Sequence, residues 1–134
     1  MKVTKAIEAE LIKALAPEEF TFSIGYGADL DSFVANRAAQ NKAVFINYDG
    51  FRGLEYTESY EMIGYQRDIV AYIRVNKADD IESLSEKVIN HFWGGGGGVP
   101  YIDNDENEHR IGVASGTFSE EFGRGIFEIS FVVV

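Results

Sequence analysis

The sequence predicts one α+β domain over residues 1–134, in which a mixed, largely antiparallel β-sheet packs against two main α-helices. Three observations carry that prediction. Two segments, 2–16 and 78–92, repeat apolar residues at helical spacing. Several others alternate apolar and polar residues or run continuously apolar, as strands do. The final two strand patterns are separated by a short turn, which favours antiparallel pairing. A chain of 134 residues suits a single hydrophobic core.

In the first helix, Val3, Ile7, Leu11 and Ala14/Leu15 form an apolar stripe, and Pro17 stops it. Phe20, Phe22 and Ile24 alternate with Thr21 and Ser23, giving a strand with one buried face, and Gly25-Tyr26-Gly27 breaks it. Residues 29–40 have the spacing of a short helix, with Leu30, Phe33, Val34 and Arg37 three or four apart and Asp29 or Asp31 as its cap. Ala43 to Tyr48 reads as a nearly continuous apolar strand closed by Asp49-Gly50.

Residues 51–63 lack clean periodicity and read as a polar excursion or a loose hairpin arm. Tyr65 to Val75 is the clearest strand: Tyr65, Arg67, Ile69, Ala71, Ile73 and Val75 share one face, and Gln66, Asp68, Val70, Tyr72 and Arg74 the other. The second helix presents Ile81, Leu84, Val88 and Phe92, with Asp79 or Asp80 accepting its free amides. Residues 94–109 read as one flexible loop, a run of five glycines followed by the acidic stretch Asp103 to Glu108. Strands over about 110–118 and 125–134 follow. The second is almost entirely β-branched or aromatic, so it must pair within a sheet or against a neighbouring subunit.

Composition narrows the function classes. No apolar run reaches the ~20 residues of a membrane span, and Glu8 and Glu10 would interrupt a signal-peptide core, so cytoplasmic synthesis is expected. The chain has no cysteine, which excludes disulfides, thiolate metal sites and cysteine nucleophiles. A formal charge of −10 disfavours binding to nucleic-acid phosphates.

The motifs with chemical content fail on inspection. The glycine run follows a helix and lacks the lysine of a phosphate loop. Asp103, Asp105 and Asn107 match the start of a calcium loop, but Glu108 stands where the bend needs glycine and Ala114 where a bidentate glutamate belongs. His91 and His109 form no metal spacing or triad, and Gly112-Val113-Ala114-Ser115-Gly116 misplaces the serine of a nucleophile elbow. No catalytic, cofactor or metal residue is expected. The aromatic residues Tyr48, Phe51, Tyr56 and Tyr60 cluster in or beside the irregular excursion, where they serve either a subunit interface or local packing.

Element order then points further. Ala43-Val44-Phe45-Ile46-Asn47-Tyr48-Asp49-Gly50 leads through a polar excursion to Arg67-Asp68-Ile69-Val70-Ala71-Tyr72-Ile73. An amphipathic helix ending in Phe92 and Trp93 follows, and then Gly125-Ile126-Phe127-Glu128-Ile129-Ser130-Phe131. With the N-terminal helix from Val3 to Leu15, this layout resembles the small Mu-like prophage tail proteins, and more broadly the tail terminator or tail completion proteins of long-tailed phages. The glycine run and the acidic loop depart from that pattern.

The resemblance implies a homo-oligomeric, typically hexameric ring that caps the tail tube and meets the head–tail connector, without catalysis or cofactor. It also implies assembly in the bacterial host cytoplasm and residence in the virion tail. Tyr48, Phe51, Tyr56 and Tyr60 of the 48–63 region, with Phe131 and Val133 of the apolar terminal strand, are the expected interface residues. Asp103, Asp105, Glu106 and Glu108 would line a lumen through which DNA passes without sticking. The alternatives are a head–tail connector or neck subunit, and a small bacterial ligand-binding or regulatory domain.

Overall fold

Residues 2–27, 42–56, 58–59, 62–93, 98–121 and 124–133 are described by the computed structural model. Their order is α1 (Val3–Leu15), β1 (Thr21–Tyr26), β2 (Ala43–Tyr56), β3 (Met62–Val75), α2 (Asp80–Trp93), β4 (Val99–Ile102), β5 (Glu108–Glu121) and β6 (Arg124–Val133). The six strands form one mixed sheet in the order β1-β2-β3-β6-β5-β4. Among the described residues only β1 and β2 run parallel; every other pairing is antiparallel. The α+β architecture with two helices on a mixed, largely antiparallel sheet is the one the sequence predicts. The expected helix at 29–40 lies outside the described residues.

The pairings align into rows that cross five strands. One row joins Thr21, Ala43, Arg74, Ile126 and Ser119; the next joins Phe22, Val44, Ile73, Phe127 and Phe118. Four more follow, the last joining Tyr26, Tyr48, Ile69, Phe131 and Val113. Because side chains alternate across a sheet, every second row faces the same way.

The rows containing Phe22, Ile24 and Tyr26 share their face with the helices. There Val44, Ile46, Ile69, Ala71, Ile73, Phe127, Ile129 and Phe131 meet Ile7, Leu11 and Leu15 of α1 and Ile81, Val88 and Phe92 of α2 in one core. The ring of Phe92 meets that of Phe131 edge to face, with centroids 4.8 Å apart. This geometry adds to the area buried. On the opposite face Ala43, Phe45, Val70 and Tyr72 form a smaller buried cluster.

The two helices are joined by a polar contact within this apolar layer. His91 Nε2 of α2 lies 2.5 Å from Glu10 Oε2 of α1. Burial alone would raise the Glu10 carboxyl, but hydrogen bonds from His91 and Lys13 outweigh it and hold the group below its ordinary range. α2 begins with Asp80 and Glu82 in its first turn, where carboxylates favourably meet the positive end of the helix dipole.

Two sequence expectations need correction. Phe131 and Val133 are 1% and 3% exposed, because β6 lies between β3 and β5 and turns both side chains into the helix-covered core. They are interior residues and supply no subunit interface. The span 94–109 is likewise not one loop. Residues 99–102 form β4 and pair with residues 108–111 of β5 around a short turn, leaving only 103–107 between the strands. Residues 94–97 lie outside the described set.

Candidate functional site

The irregular segment 51–63 resolves largely into strand. β2 and β3 are both 14 residues long, yet β1 covers only residues 43–48 of β2 and β6 only residues 67–75 of β3. Among the described residues, 52–56 and 62–66 pair with nothing but each other. The hairpin therefore runs past both neighbouring strands, β1 and β6, as a two-stranded arm. Its ladder slips between Tyr48 and Gly50, between Gly53 and Glu55, and between Glu55 and Tyr56. Such irregularities bend a strand and increase its twist.

The aromatic residues expected at an interface are distributed along this hairpin. Phe51 stands at the base of the arm, 62% exposed. Tyr48 lies half-buried one step into the sheet, its ring 6.1 Å from that of Tyr26. Tyr56 ends β2 in the arm. Tyr60 lies outside the described residues.

At the same end of the sheet a cleft of about 480 Å³ opens between the start of α1 and the β4–β5 turn. Lys2, Tyr26, Tyr48, Arg67, Tyr101 and Asp103 contribute to its lining. Sequence reasoning missed it. Tyr26 read as part of a breaker and Tyr101 as part of a loop, and nothing local signals that strands so far apart bring the tyrosines together.

The acidic stretch divides by role. Asp103 is turned back into its own hairpin. Its Oδ1 accepts the backbone N–H groups of Asp105 and Asn107, each at 2.9 Å, and its Oδ2 lies 2.8 Å from His109 Nε2. The His109 contact, helped by the two amides, lowers the carboxyl to about 2. Stacking of His109 on the buried Tyr101, at 5.6 Å, completes the turn. Asp105, Glu106 and Glu108 are exposed around it.

The two long edges of the sheet also stand out. β4 covers β5 only as far as Ile111, and among the described residues no strand pairs with the outer edge of β5 from Gly112 onward. Gly112 to Ser119 contains no charge and no proline, in a chain where 25% of residues are charged. Phe118 on this edge is 58% exposed and stacks on Phe127 at 4.9 Å. β1, which borders the far side of the sheet among the described residues, is equally free of charge and proline. Natural sheets usually protect bare edges with those residue types. A run of strand-forming residues without charge was a signal available in the sequence.

Against the models of known protein families and against curated proteins, the chain has no match.

Proposed function

We propose that this chain is a structural subunit that assembles with copies of itself into a ring, and that it serves as a tail terminator or tail completion protein of a long-tailed phage or prophage. The observation that carries this reading is the β2–β3 arm. A two-stranded ribbon gains little stability alone, so an arm extended beyond both of its neighbouring strands is best accounted for by a surface on a neighbouring molecule. Phe51 at its base offers the apolar anchor that interfaces favour. In this role the ring caps the tail tube and contacts the head–tail connector. A neck subunit would use the same features. The surplus of carboxylates would keep passing DNA from adhering.

Sedimentation of the purified protein tests the assembly. Rings should form with rising concentration, and replacing residues 53–65 by an Asn-Gly turn, which joins the paired Arg52 and Gln66, should abolish them while leaving the thermal transition in place. Persistence of rings in that variant would remove the arm from the reading. Deleting the gene from an inducible element tests the role: overlong, headless tails are expected by electron microscopy, and tails of normal length joined to heads would refute termination.

The tyrosine-lined cleft favours a second reading, a small-ligand-binding domain. Saturable thermal stabilisation by a small molecule, lost on Tyr48→Ala, would support it over assembly.

A further inference from the structure

We infer that β1 of one copy pairs with the open edge of β5 in the next, so that the sheets of neighbouring subunits join into one. The inference rests on the ring reading and names the seam that would build it.

Row alignment is the first support. The six residues of β1, Thr21 to Tyr26, occupy the same rows as Ser119 to Ser115 and Val113 of β5, at opposite sides of the sheet, with Ala114 the extra residue of a register shift. That is the stretch of β5 left open by β4, whose Val99 pairs with Ile111 two rows beyond Tyr26. A neighbour's β1 therefore fits beneath β4 without overlapping it.

Direction is the second. Following the pairings across the sheet, β1 and β2 run one way, β3 the other, β6 back again, and β5 opposite to β1. Copies related by rotation about an axis along the strands keep their strand directions, so in such a ring the junction is antiparallel, the slightly more stable kind of ladder. Joining two different edges is a heterologous contact. Such contacts close into rings when copies are not displaced along the axis and give open filaments when they are. Edges that share rows require no displacement.

Side-chain chemistry is the third. On the helix-bearing face the seam places Phe22 beside the exposed ring of Phe118, Ile24 beside Gly116, and Tyr26 beside Val113. The other face joins Thr21 to Ser119, Ser23 to Thr117 and Gly25 to Ser115, all small or hydroxyl-bearing. Each copy carries a formal charge of −10, but none of it falls on the rows of the seam, Thr21 to Tyr26 and Val113 to Ser119. Repulsion between whole subunits is thus longer in range than the seam, and added salt should strengthen association.

The absence of native cysteine makes the test clean. Ser23→Cys and Thr117→Cys proteins are prepared separately, then mixed under mild oxidation alongside sedimentation of the wild type. Disulfide-linked dimers should appear in the mixture and in neither protein alone. Wild-type rings without this cross-link would overturn the seam and leave the ring reading standing. Cross-linked open chains that never close would support the seam and overturn the ring reading. A wild type that stays monomeric at all concentrations would overturn both, and cross-linking of Thr117→Cys with itself would overturn the heterologous pairing.

A charge pair guards against misfolding as an explanation. Both sites are exposed, so S23D/T117D should keep the wild-type melting transition while weakening association about tenfold or more. S23D/T117K should restore it. Equal loss in both variants would refute the seam.

Discussion

Replacing Phe131 by alanine tests the placement of β6 in the interior. The ring is 1% exposed and lies 4.8 Å from that of Phe92, in the layer where sheet meets helix. Truncating a buried phenylalanine removes its transfer free energy and leaves a cavity, at a cost of about 3–5 kcal/mol. The edge-to-face contact accounts for about 0.5–1.5 kcal/mol beyond area burial, so a cycle with Phe92→Ala should return a coupling of that size. Small domains have only about 5–15 kcal/mol in hand. For 134 residues the melting temperature should fall by roughly 10–20 °C. Urea unfolding, followed by circular dichroism at two protein concentrations, reads the loss and separates it from assembly. Phe51→Ala is the contrast, because its ring is 62% exposed and monomer stability should stay within about 0.5 kcal/mol. Should Phe131→Ala leave the monomer equally unaffected and weaken only self-association, the core assignment of β6 would be wrong.

Three further predictions concern single contacts. A Cβ at Gly125 would lie 2.1 Å from Cδ1 of Ile81 and 3.2 Å from Cα of Ala78, so Gly125→Ala should cost about 1–3 kcal/mol in urea unfolding. The loss should be partly relieved in the Gly125→Ala, Ile81→Ala double variant, and strict additivity would count against the clash. Asp103 ionises more readily folded than unfolded. Its contribution is therefore full above the ordinary carboxylate range, about 3.9, and is lost as pH falls through about 2. A carboxyl NMR titration should show that low midpoint, rising in His109→Ala; a midpoint near 4 in the wild type would refute the turn geometry. His91→Ala should destabilise the protein by about 1 kcal/mol by cutting the tie to Glu10. It should also raise the Glu10 titration, and a Glu10 midpoint that does not move would show that the tie is not formed.

The parts of the fold visible in the sequence are those with an unbroken period. α1, α2 and the strand from Tyr65 to Val75 each keep one face apolar over their length, and the β5–β6 hairpin is marked by a short turn between two strand-forming runs. The outer halves of β2 and β3 were hidden for a physical reason. Each register slip near Gly50, Gly53 and Glu55 shifts the alternation by a residue, so a bulged strand reads as no strand. β4 was missed because it is four residues long, contains Pro100, and lies between a glycine run and an acidic turn. Phe131 and Val133 show another limit. Composition says that an apolar strand must be covered, but only the strand order says that its own chain covers it. The Glu10–His91 tie, spanning 81 positions, leaves no local trace at all.

The central position of β6 has a consequence for how the molecule is made. β3 is complete at Val75, but the strand that pairs with its second edge does not begin until Arg124. A growing chain can form the β2–β3 hairpin early, yet it must carry the unpaired side of β3, with Ile69, Ala71 and Ile73, until β6 emerges. Long-range pairing of this kind slows folding and exposes strand edges to wrong partners meanwhile. Translation speed through the α2–β5 region, and chaperones that shield apolar strands during it, should therefore govern the yield of folded protein more strongly than the stability of the finished sheet.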